Sequence, residues 1–302
     1  MHRKSNPHIT VCVCTYKRPS LLGDLISNLV IQETSSRFTY DIVVVDNDAG
    51  QSARETVANL CDSHAVQMRY AVEPEQNIAR ARNLAMSLCS GDFVAFIDDD
   101  EIPNSTWLFT LFEGLDTQGA DGALGPVVPR YTADTPSWVV AGEFYSRQTH
   151  SDGHVVSWQE GRTGNLLFKR EILATMREPF RVEFITGEDQ DFFRRAISLN
   201  YSFVWVAGAV VHEHVPESRC KRRFMLRRAI LRGRISTKHP NFGLTKILKS
   251  AVAVPGYLCI LPFMIVAPHH LFMRKVVSMF DHIGCLLATV GLGDEDTKYV
   301  TE

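Results

Sequence analysis

The chain has 302 residues, of which 45% are hydrophobic and 22% charged, and its formal net charge at pH 7 is −2. These values lie near globular averages and exclude a disordered, repetitive or low-complexity chain. A single large domain with an appendage fits this length better than two equal domains.

Alternating strand and helix patterns fill the first hundred residues. Apolar runs predict strands at 9–14, 41–45, 67–72 and 93–97, and helical spacing of apolar residues predicts helices at 19–30, 52–61 and 78–88. This alternation is typical of a mostly parallel, Rossmann-like α/β sheet with helices on both faces.

Polar residues follow three of these strands, at 15–18, 46–48 and 98–101. Ligands of open parallel sheets gather at the carboxyl ends of the strands, so these loops are expected to converge on one edge. Farther along, the pattern predicts loops and mixed strands at 125–162, a possible strand at 124–128, a helix at 188–198 and a strand at 203–211.

An acidic cluster, Asp98-Asp99-Asp100, follows the fourth predicted strand. Adjacent carboxylates repel one another unless a cation or hydrogen-bond donors compensate them. Mg²⁺ or Mn²⁺, completed by phosphate oxygens, suits such a site. A helix cap or a solvated acidic turn remains the alternative.

A second acidic pair, Glu188-Asp189, opens the predicted helix at 188–198. One of these carboxylates is a candidate general base that deprotonates an attacking hydroxyl. The alternative is stabilisation of carboxylates by the helix N-terminus alone.

Histidine and arginine supply further candidates. His212 and His214 lie two apart at the end of a predicted strand, so both can face the same side and contact a metal or a diphosphate. Surface histidines are the alternative. Arg80 and Arg82, on the helix before the acidic cluster, can contact a diphosphate or lie on a solvated helix face.

Five motifs in this order resemble glycosyltransferase family 2, which has the GT-A fold, over about residues 8–215. They are Val-Cys-Val-Cys-Thr-Tyr-Lys-Arg-Pro at 11–19, Val-Val-Val-Asp-Asn at 43–47, Ala-Arg-Asn at 81–83, Gly-Asp-Phe-Val-Ala-Phe-Ile-Asp-Asp-Asp at 91–100 and Gly-Glu-Asp at 187–189.

The resemblance implies a role for each matching position. Donor contacts are expected from Cys14, Thr15, Asp46, Asn47, Arg82, Asp98 and Asp99. Metal ligands are expected among Asp100, Asp98, His212 and His214, with Asp100 the direct ligand and Mn²⁺ or Mg²⁺ the cation. Asp189 corresponds to the catalytic base, and Glu188 positions the acceptor or donor sugar. Cys14 and Asn47 depart from the common Pro and Asp of the family.

The last part of the chain is basic and apolar. Thirteen Lys or Arg and no Asp or Glu lie between Ser218 and Phe280, and residues 251–272 carry no formal charge. Pro255, Pro262 and Pro268 interrupt this stretch, so a spanning helix, broken helices in the membrane interface and a re-entrant hairpin all remain open. A weaker apolar stretch follows at 276–292. A basic helix packed on the acidic body is the alternative without a membrane.

These observations predict a catalytic domain at 1–217, with a nucleotide-sugar half at about 8–120 and an acceptor half at about 121–217. Residues 218–302 form a helical membrane-associating region. Seven cysteines without metal-ligand spacing and no signal peptide before the first strand predict a reducing compartment. The expected location is the cytoplasmic face of the bacterial inner membrane, peripheral or re-entrant.

The resemblance extends to the succinoglycan-type glucosyltransferases. It implies inverting transfer of a hexose, glucose from a UDP-sugar, to a polyprenyl-diphosphate-linked saccharide in exopolysaccharide synthesis. An anionic membrane surface is the expected partner, and nucleic acid is not. One alternative is a non-catalytic membrane-bound sugar-nucleotide or polysaccharide-binding module. Another is a haloacid-dehalogenase-like phosphatase, although there Asp-x-Asp follows the first strand and here several strand-helix units precede it.

Overall fold

A computed structural model describes residues 6–61, 63–184, 186–237 and 242–292. It divides the chain into two compact units, each made of two segments. The sheet unit comprises Met1–Val128 and Arg147–His214, and the helical unit comprises Pro129–Ser146 and Val215–Glu302. The predicted division at residue 217 lies close to the second boundary, but residues 129–146 group with the C-terminal part. The last ten residues of the predicted C-terminal region, 293–302, lie outside the described residues.

The strands alternate with helices through the first third of the chain. They are β1 (His8–Thr15), β2 (Thr39–Asp46), β3 (Met68–Val72), β4 (Phe93–Phe96), β5 (Glu101–Pro103), β6 (Gly122–Leu124), β7 (Val127–Tyr131), β8 (Leu166–Lys169), β9 (Phe203–Trp205) and β10 (Val211–Val215).

The helices cover the sheet and build the C-terminal part. They are α1 (Pro19–Leu29), α2 (Arg54–Cys61), α3 (Ile78–Ser87), α4 (Trp107–Gln118), α5 (Ser137–Ala141), α6 (Glu171–Ala174), α7 (Glu188–Ser198), α8 (Arg222–Ser236), α9 (Leu244–Ile260), the 3-10 helix η1 (Phe263–Val266) and α10 (His269–Thr289).

A seven-stranded sheet with the order β3-β2-β1-β4-β8-β6-β9 forms the centre of the sheet unit. The four pairs β3-β2, β2-β1, β1-β4 and β6-β9 are parallel, whereas β8 runs antiparallel to β4 and β6. Both faces of β1 and β2 are buried because one apolar core lies on each side of the sheet. This mixed α/β sheet confirms the predicted fold class.

The carboxyl ends of β1, β2 and β4 lie at the same edge, since residues 12–15 pair with 43–46 and Cys12 pairs with Phe96. The loops that follow these strands therefore meet. The backbone leaves β1 through Lys17, whose φ of 55° lies in the left-handed region that non-glycine residues rarely adopt. Residues with such strain often cluster at functional sites.

The predicted single strand at 203–211 is wrong. The chain forms β9, which pairs with β6, and then turns at Val206–Ala209 before β10, which pairs with β5. His212 and His214 therefore lie inside β10 and do not end a strand. His212 is exposed and His214 half-buried on the same face, as their spacing of two requires.

The helical unit contains α5, α8, α9, η1 and α10. Helices α8 and α10 cross closely at Gly233 and Gly284, where an added Cβ would collide with the backbone of Asp281 and of Ile230. Arg232 pairs with Asp281 at 2.9 Å, and Ser250 Oγ lies 3.0 Å from His282 Nδ1. Pro255 lies inside α9, whereas Pro262 and Pro268 stand at the two helix breaks. None of the helices within the described residues has both the length and the apolar character of a membrane span.

Candidate active site

The end of β1 holds the middle of the acidic cluster. Thr15 Oγ1 donates a hydrogen bond of 2.8 Å to Asp99, and Arg18 Nη1 lies 3.0 Å from Asp99 and 3.1 Å from the Asp100 carboxylate. Burial raises the pKa of Asp99 to about 6, although Arg18 lowers it. Thr15, Asp99 and Asp100, all predicted site residues, are thus brought together. Arg18, for which the sequence predicted no role, connects the two aspartates.

Arg82 joins the two acidic motifs of the site. Its side chain, 8% exposed on α3, forms an ion pair with Glu188 and lies 3.5 Å from Asp98. Asp98 and Glu188 are ninety residues apart in the chain, so this contact fixes the start of α7 beside the end of β4. The solvated helix face considered for Arg82 does not apply, whereas the side chain of Arg80 is 40% exposed and pairs with Glu75.

The carboxylates at the start of α7 differ in exposure. Glu188 is buried, and burial raises its pKa to about 7 against the opposing effect of Arg82. Asp189 is half-buried and accepts a hydrogen bond of 2.7 Å from the backbone of Gln190. Its pKa is also raised, first by burial. Gly187 precedes them with φ 84°, a conformation that glycine adopts without strain.

A third group of carboxylates lies on the two short strands next to the acidic cluster. Glu101 and Glu213 are opposite one another on β5 and β10, and Arg147 forms an ion pair of 2.5 Å with Glu213. Burial raises the pKa of Glu101 well above its usual range. Sequence reasoning assigned no role to these residues, since β5 and β10 are too short for their pairing to be predicted.

A close backbone approach marks the same place. A Cβ on Gly164 would lie 2.6 Å from Glu101 Oε1 and 2.9 Å from Asp98 Oδ2, so a larger residue would displace at least one of the two carboxylates. The buried Glu101 Oε1 has no hydrogen-bond partner among the described residues. A buried carboxylate oxygen without a donor is electrostatically costly. A cation that approaches Asp98 would reduce this cost.

The predicted nucleoside residues lie at the ends of β1 and β2. Asp46 is fully buried and accepts hydrogen bonds from Ala53 N at 2.8 Å and Tyr70 Oη at 2.9 Å. Asn47 donates to the carbonyls of Glu73 and Glu75 and accepts from the backbone of Asn77. Both side chains thus hold neighbouring loops in place. Burial raises the pKa of the Cys14 thiol to about 12.

The four predicted metal ligands do not form a ready-made cluster. His214 N donates to the backbone carbonyl of Asp100 at 2.7 Å, which places β10 beside the acidic loop. Yet no three ligand atoms from Asp98, Asp100, His212 and His214 lie within 4.8 Å of one another in the described part of the chain. Oxygen donors suited to Mg²⁺ or Mn²⁺ are present at Asp98 to Asp100. Phosphate oxygens would have to supply the remaining positions, as is usual for Mg²⁺.

Comparison with known proteins adds independent findings. The family model described as Glycosyl transferase family 2 matches residues 10–176. Succinoglycan biosynthesis protein ExoM of Rhizobium meliloti (strain 1021) is 34% identical over 229 residues, which cover 75% of this chain and 73% of ExoM.

Two solved structures share the fold. Mannosyltransferase PcManGT from Pyrobaculum calidifontis, in complex with GDP-Man and Mn²⁺, has a TM-score of 0.59 at 18% identity. The match covers 96% of this chain and 77% of the PcManGT chain. Residues 1–349 of S. aureus TarS, in complex with UDP, have a TM-score of 0.54 at 16% identity. That match covers 95% of this chain and 93% of the TarS chain. The chain spans 54% of a longer TarS structure. At these identities the likeness is one of fold.

Proposed function

The chain belongs to glycosyltransferase family 2, and from this premise we propose that it transfers a hexose with inversion from a nucleoside-diphosphate sugar to a lipid-linked saccharide. ExoM, a relative named above, is a succinoglycan biosynthesis protein. Exopolysaccharide synthesis is therefore the proposed context, and a UDP-sugar, with glucose as the hexose, is the proposed donor.

One observation carries the proposal. Arg82 is buried between Asp98 of the acidic loop and Glu188 at the start of α7. A transferase needs a site for the departing diphosphate next to a base for the incoming hydroxyl. Arg82 keeps the diphosphate site and the base at a fixed spacing. This favours catalysis because the bound donor and acceptor then lose little translational and rotational freedom when they react.

The diphosphate end of the site combines cationic and acidic groups. Arg18 contacts Asp99 and Asp100, and Asp98 is 43% exposed. Asp98 and Asp100 would hold a divalent cation together with phosphate oxygens, and this cation would neutralise charge on the leaving diphosphate. We place the nucleoside near the ends of β1 and β2, where Asp46 and Asn47 shape the loops.

Asp189 is the proposed general base. It takes the proton of the acceptor hydroxyl as that oxygen bonds to the anomeric carbon, while the bond from this carbon to the diphosphate oxygen breaks. Burial raises the pKa of Asp189, and a base whose pKa lies closer to the working pH is stronger than an ordinary aspartate. Glu188, held by Arg82, positions the sugar.

The first test incubates the full chain, reconstituted in bilayers, with a panel of sugar nucleotides and measures nucleoside diphosphate release. We expect slow release from one donor without added acceptor, because water can replace the acceptor hydroxyl. Release should need Mn²⁺ or Mg²⁺ and stop with a chelator. Protein without added donor and protein with a chelator are the controls.

Other outcomes would favour the alternatives. No release in folded protein, with donor still bound, would support a binding module that lacks activity. A trapped aspartyl-phosphate at Asp98 would support a phosphatase. The fold opposes the phosphatase, since three strands and three helices precede β4 in the chain.

An exposed apolar surface in the helical unit supports a membrane acceptor. We call it the α9–η1 surface. Its members are all more than half exposed: Leu244, Leu248, Val252, Leu258, Ile260, Phe263, Ile265 and Val266. Exposed lysines and arginines accompany it on α9 and α10 at Lys246, Lys249, Arg274 and Lys275. Large apolar patches with basic neighbours suit an anionic membrane surface. We propose that this surface lies in the interface of the cytoplasmic leaflet.

The double substitution Phe263→Asp and Ile265→Asp is expected to weaken binding to vesicles that contain anionic lipid by at least about tenfold. Phe263 and Ile265 are 82% and 77% exposed, and burying one such side chain in an apolar medium contributes about 1.5–3 kcal/mol. Vesicle co-sedimentation measures the change.

The matched control is Ile31→Asp, a 58% exposed apolar residue of the sheet unit, which should bind vesicles as the wild type does. Equal binding by the double variant and the wild type would contradict the assignment of the α9–η1 surface. Binding that survives in neutral vesicles at high salt would show that the apolar residues outweigh the basic ones.

A further inference from the structure

Two cysteine sulfurs that the proposed reaction does not use lie against each other in the sheet unit. Cys12 Sγ on β1 is 3.3 Å from the Sγ of Cys89, which follows the end of α3. Both are free thiols in the structure, and Cys89 also donates to the carbonyl of Ala85 at 3.3 Å. The two cysteines are 77 residues apart, so their contact could not be predicted from sequence spacing. We call them the Cys12–Cys89 pair.

The backbone holds the Cys12–Cys89 pair together. Asp92 N donates to the carbonyl of His8 at 2.7 Å, and Gly91 N donates to Thr10 Oγ1 at 3.2 Å. A Cβ on Gly91 would lie 2.6 Å from the carbonyl oxygen of His8, so the chain after Cys89 runs directly against β1. The two thiols are therefore lasting neighbours and not a chance contact of mobile side chains.

The separation of the two sulfurs is close to that of a bonded pair. A disulfide holds its sulfurs about 2.0 Å apart, so bond formation requires an approach of roughly 1.3 Å. Rotation of both side chains about their Cα–Cβ bonds, each within one rotamer well, can supply an approach of this size. The bond therefore requires little movement of the backbone.

The two thiols differ in their access to solvent. Cys12 is fully buried, and burial raises the pKa of its thiol well above the usual range. Cys89 is half-buried and lines a surface groove with a volume of about 800 Å³, together with the exposed residues Ser87, Asp92 and Arg170 among others. A small oxidant can thus reach Cys89 first, with Cys12 next to it as the second thiol.

We propose that the Cys12–Cys89 pair is an oxidation site, at which a hydroperoxide converts the two thiols to a disulfide. The Cys89 sulfur attacks one oxygen of the hydroperoxide, the O–O bond breaks, and a sulfenic acid forms at Cys89. An alcohol leaves, or water when the oxidant is hydrogen peroxide. The Cys12 sulfur then attacks the Cys89 sulfur, the S–O bond breaks, and the hydroxide leaves as water with the Cys12 proton. The two thiols lose two electrons and two protons, which the hydroperoxide accepts.

The disulfide joins two elements that build the active site. β1 ends in Thr15, which donates to Asp99, and α3 carries Arg82. Oxidation therefore constrains the elements that hold the acidic cluster. Disulfides that form in reducing compartments are usually transient and catalytic or redox-sensing. Bond formation needs no substrate, so it can be tested separately from the proposed function.

The test treats the reduced full chain with stoichiometric hydrogen peroxide, unfolds it in N-ethylmaleimide and counts the adducts by intact mass. The reduced chain has seven cysteines and should carry seven adducts. After oxidation we expect five, which is seven minus the two of the pair, without a cross-link between chains on a non-reducing gel. Dithiothreitol should restore all seven, because it reduces a disulfide but not a sulfinic or sulfonic acid. Peptide mapping should find Cys12 linked to Cys89.

Variants assign the bond to its two sulfurs. Cys89→Ser should form no disulfide within the chain, and in Cys12→Ala the sulfenic acid at Cys89 should persist and be trapped by dimedone. Cys259→Ser is the matched control, since it removes an exposed cysteine, and it should still lose two thiols. Cys14→Ala should also lose two, although Cys14 lies on the same face of β1 as Cys12.

Three results would overturn the proposal. The first is seven adducts on the wild-type chain after peroxide treatment. The second is a disulfide from Cys89 to Cys14 in place of Cys12. The third is an equal loss of two thiols within one chain in Cys89→Ser and in the wild type.

Discussion

Asp189→Asn is expected to lower the turnover number by about 10²- to 10⁴-fold, the usual contribution of a general base. Asparagine has nearly the same shape but cannot take the proton of the acceptor hydroxyl. Its side-chain oxygen can still accept the 2.7 Å hydrogen bond from Gln190 N, so the start of α7 should keep its structure. Initial rates at saturating donor, with donor binding measured by calorimetry, test this expectation.

The matched control is Asp24→Asn, the same chemical change on the exposed side of α1. It should leave both rate and donor affinity near wild-type values. If Asp189→Asn turned over within threefold of the wild type, the base would have to be sought elsewhere, first at Glu188. A loss of donor affinity equal to the loss of rate would indicate that Asp189 binds the donor and is not the base.

Arg82→Gln is expected to lower the free energy of unfolding by about 3–5 kcal/mol, because it leaves Glu188 buried without its cation. The loss should grow with pH. Burial already raises the pKa of Glu188 to about 7 in the wild type, and removal of Arg82 raises it further. A carboxyl with a raised folded-state pKa stabilises the fold below its unfolded pKa, and this contribution disappears as pH rises through the folded pKa.

Chemical denaturation at about pH 5.5 and about pH 8 measures this difference, since the two values bracket the raised pKa. Arg80→Gln is the control. Arg80 lies on the same helix, and its ion pair with Glu75, whose side chains are 40% and 65% exposed, is worth about 0–1 kcal/mol. The double variant Arg82→Gln, Glu188→Gln should recover most of the stability but not the activity. A pH-independent loss in Arg82→Gln would mean that packing, and not the charge of Glu188, is affected.

The elements nearest the site were predictable because their patterns are local. Periodicity alone predicted the helix at 188–198, and the structure has α7 at Glu188–Ser198. The strands at 9–14 and 41–45 were each found to within two residues, since runs buried on both faces are continuously apolar. The turn between β9 and β10 was missed because Val206, Ala207 and Ala209 continue the apolar run on either side of Gly208.

The ionic contacts of the site could not be predicted in the same way. Arg18 lies 81 residues from Asp99, and Arg82 lies 106 residues from Glu188. Neither helical nor strand periodicity carries information on pairs so distant. The motifs indicated which residues carry chemistry, and only the three-dimensional arrangement shows that arginines connect them.

The helical unit is made of two separate segments of the chain, and this limits where the protein can be divided or exchanged with parts of its relatives. Val139, from the segment Pro129–Ser146, is buried among Val215, Cys220 and Met225. Tyr145 donates to the carbonyl of Arg219 at 2.5 Å. A chain cut near residue 217 would strip an internal loop of its packing partners and expose its apolar side. The C-terminal helices are therefore not a detachable module, and an exchange between relatives would have to carry both segments together.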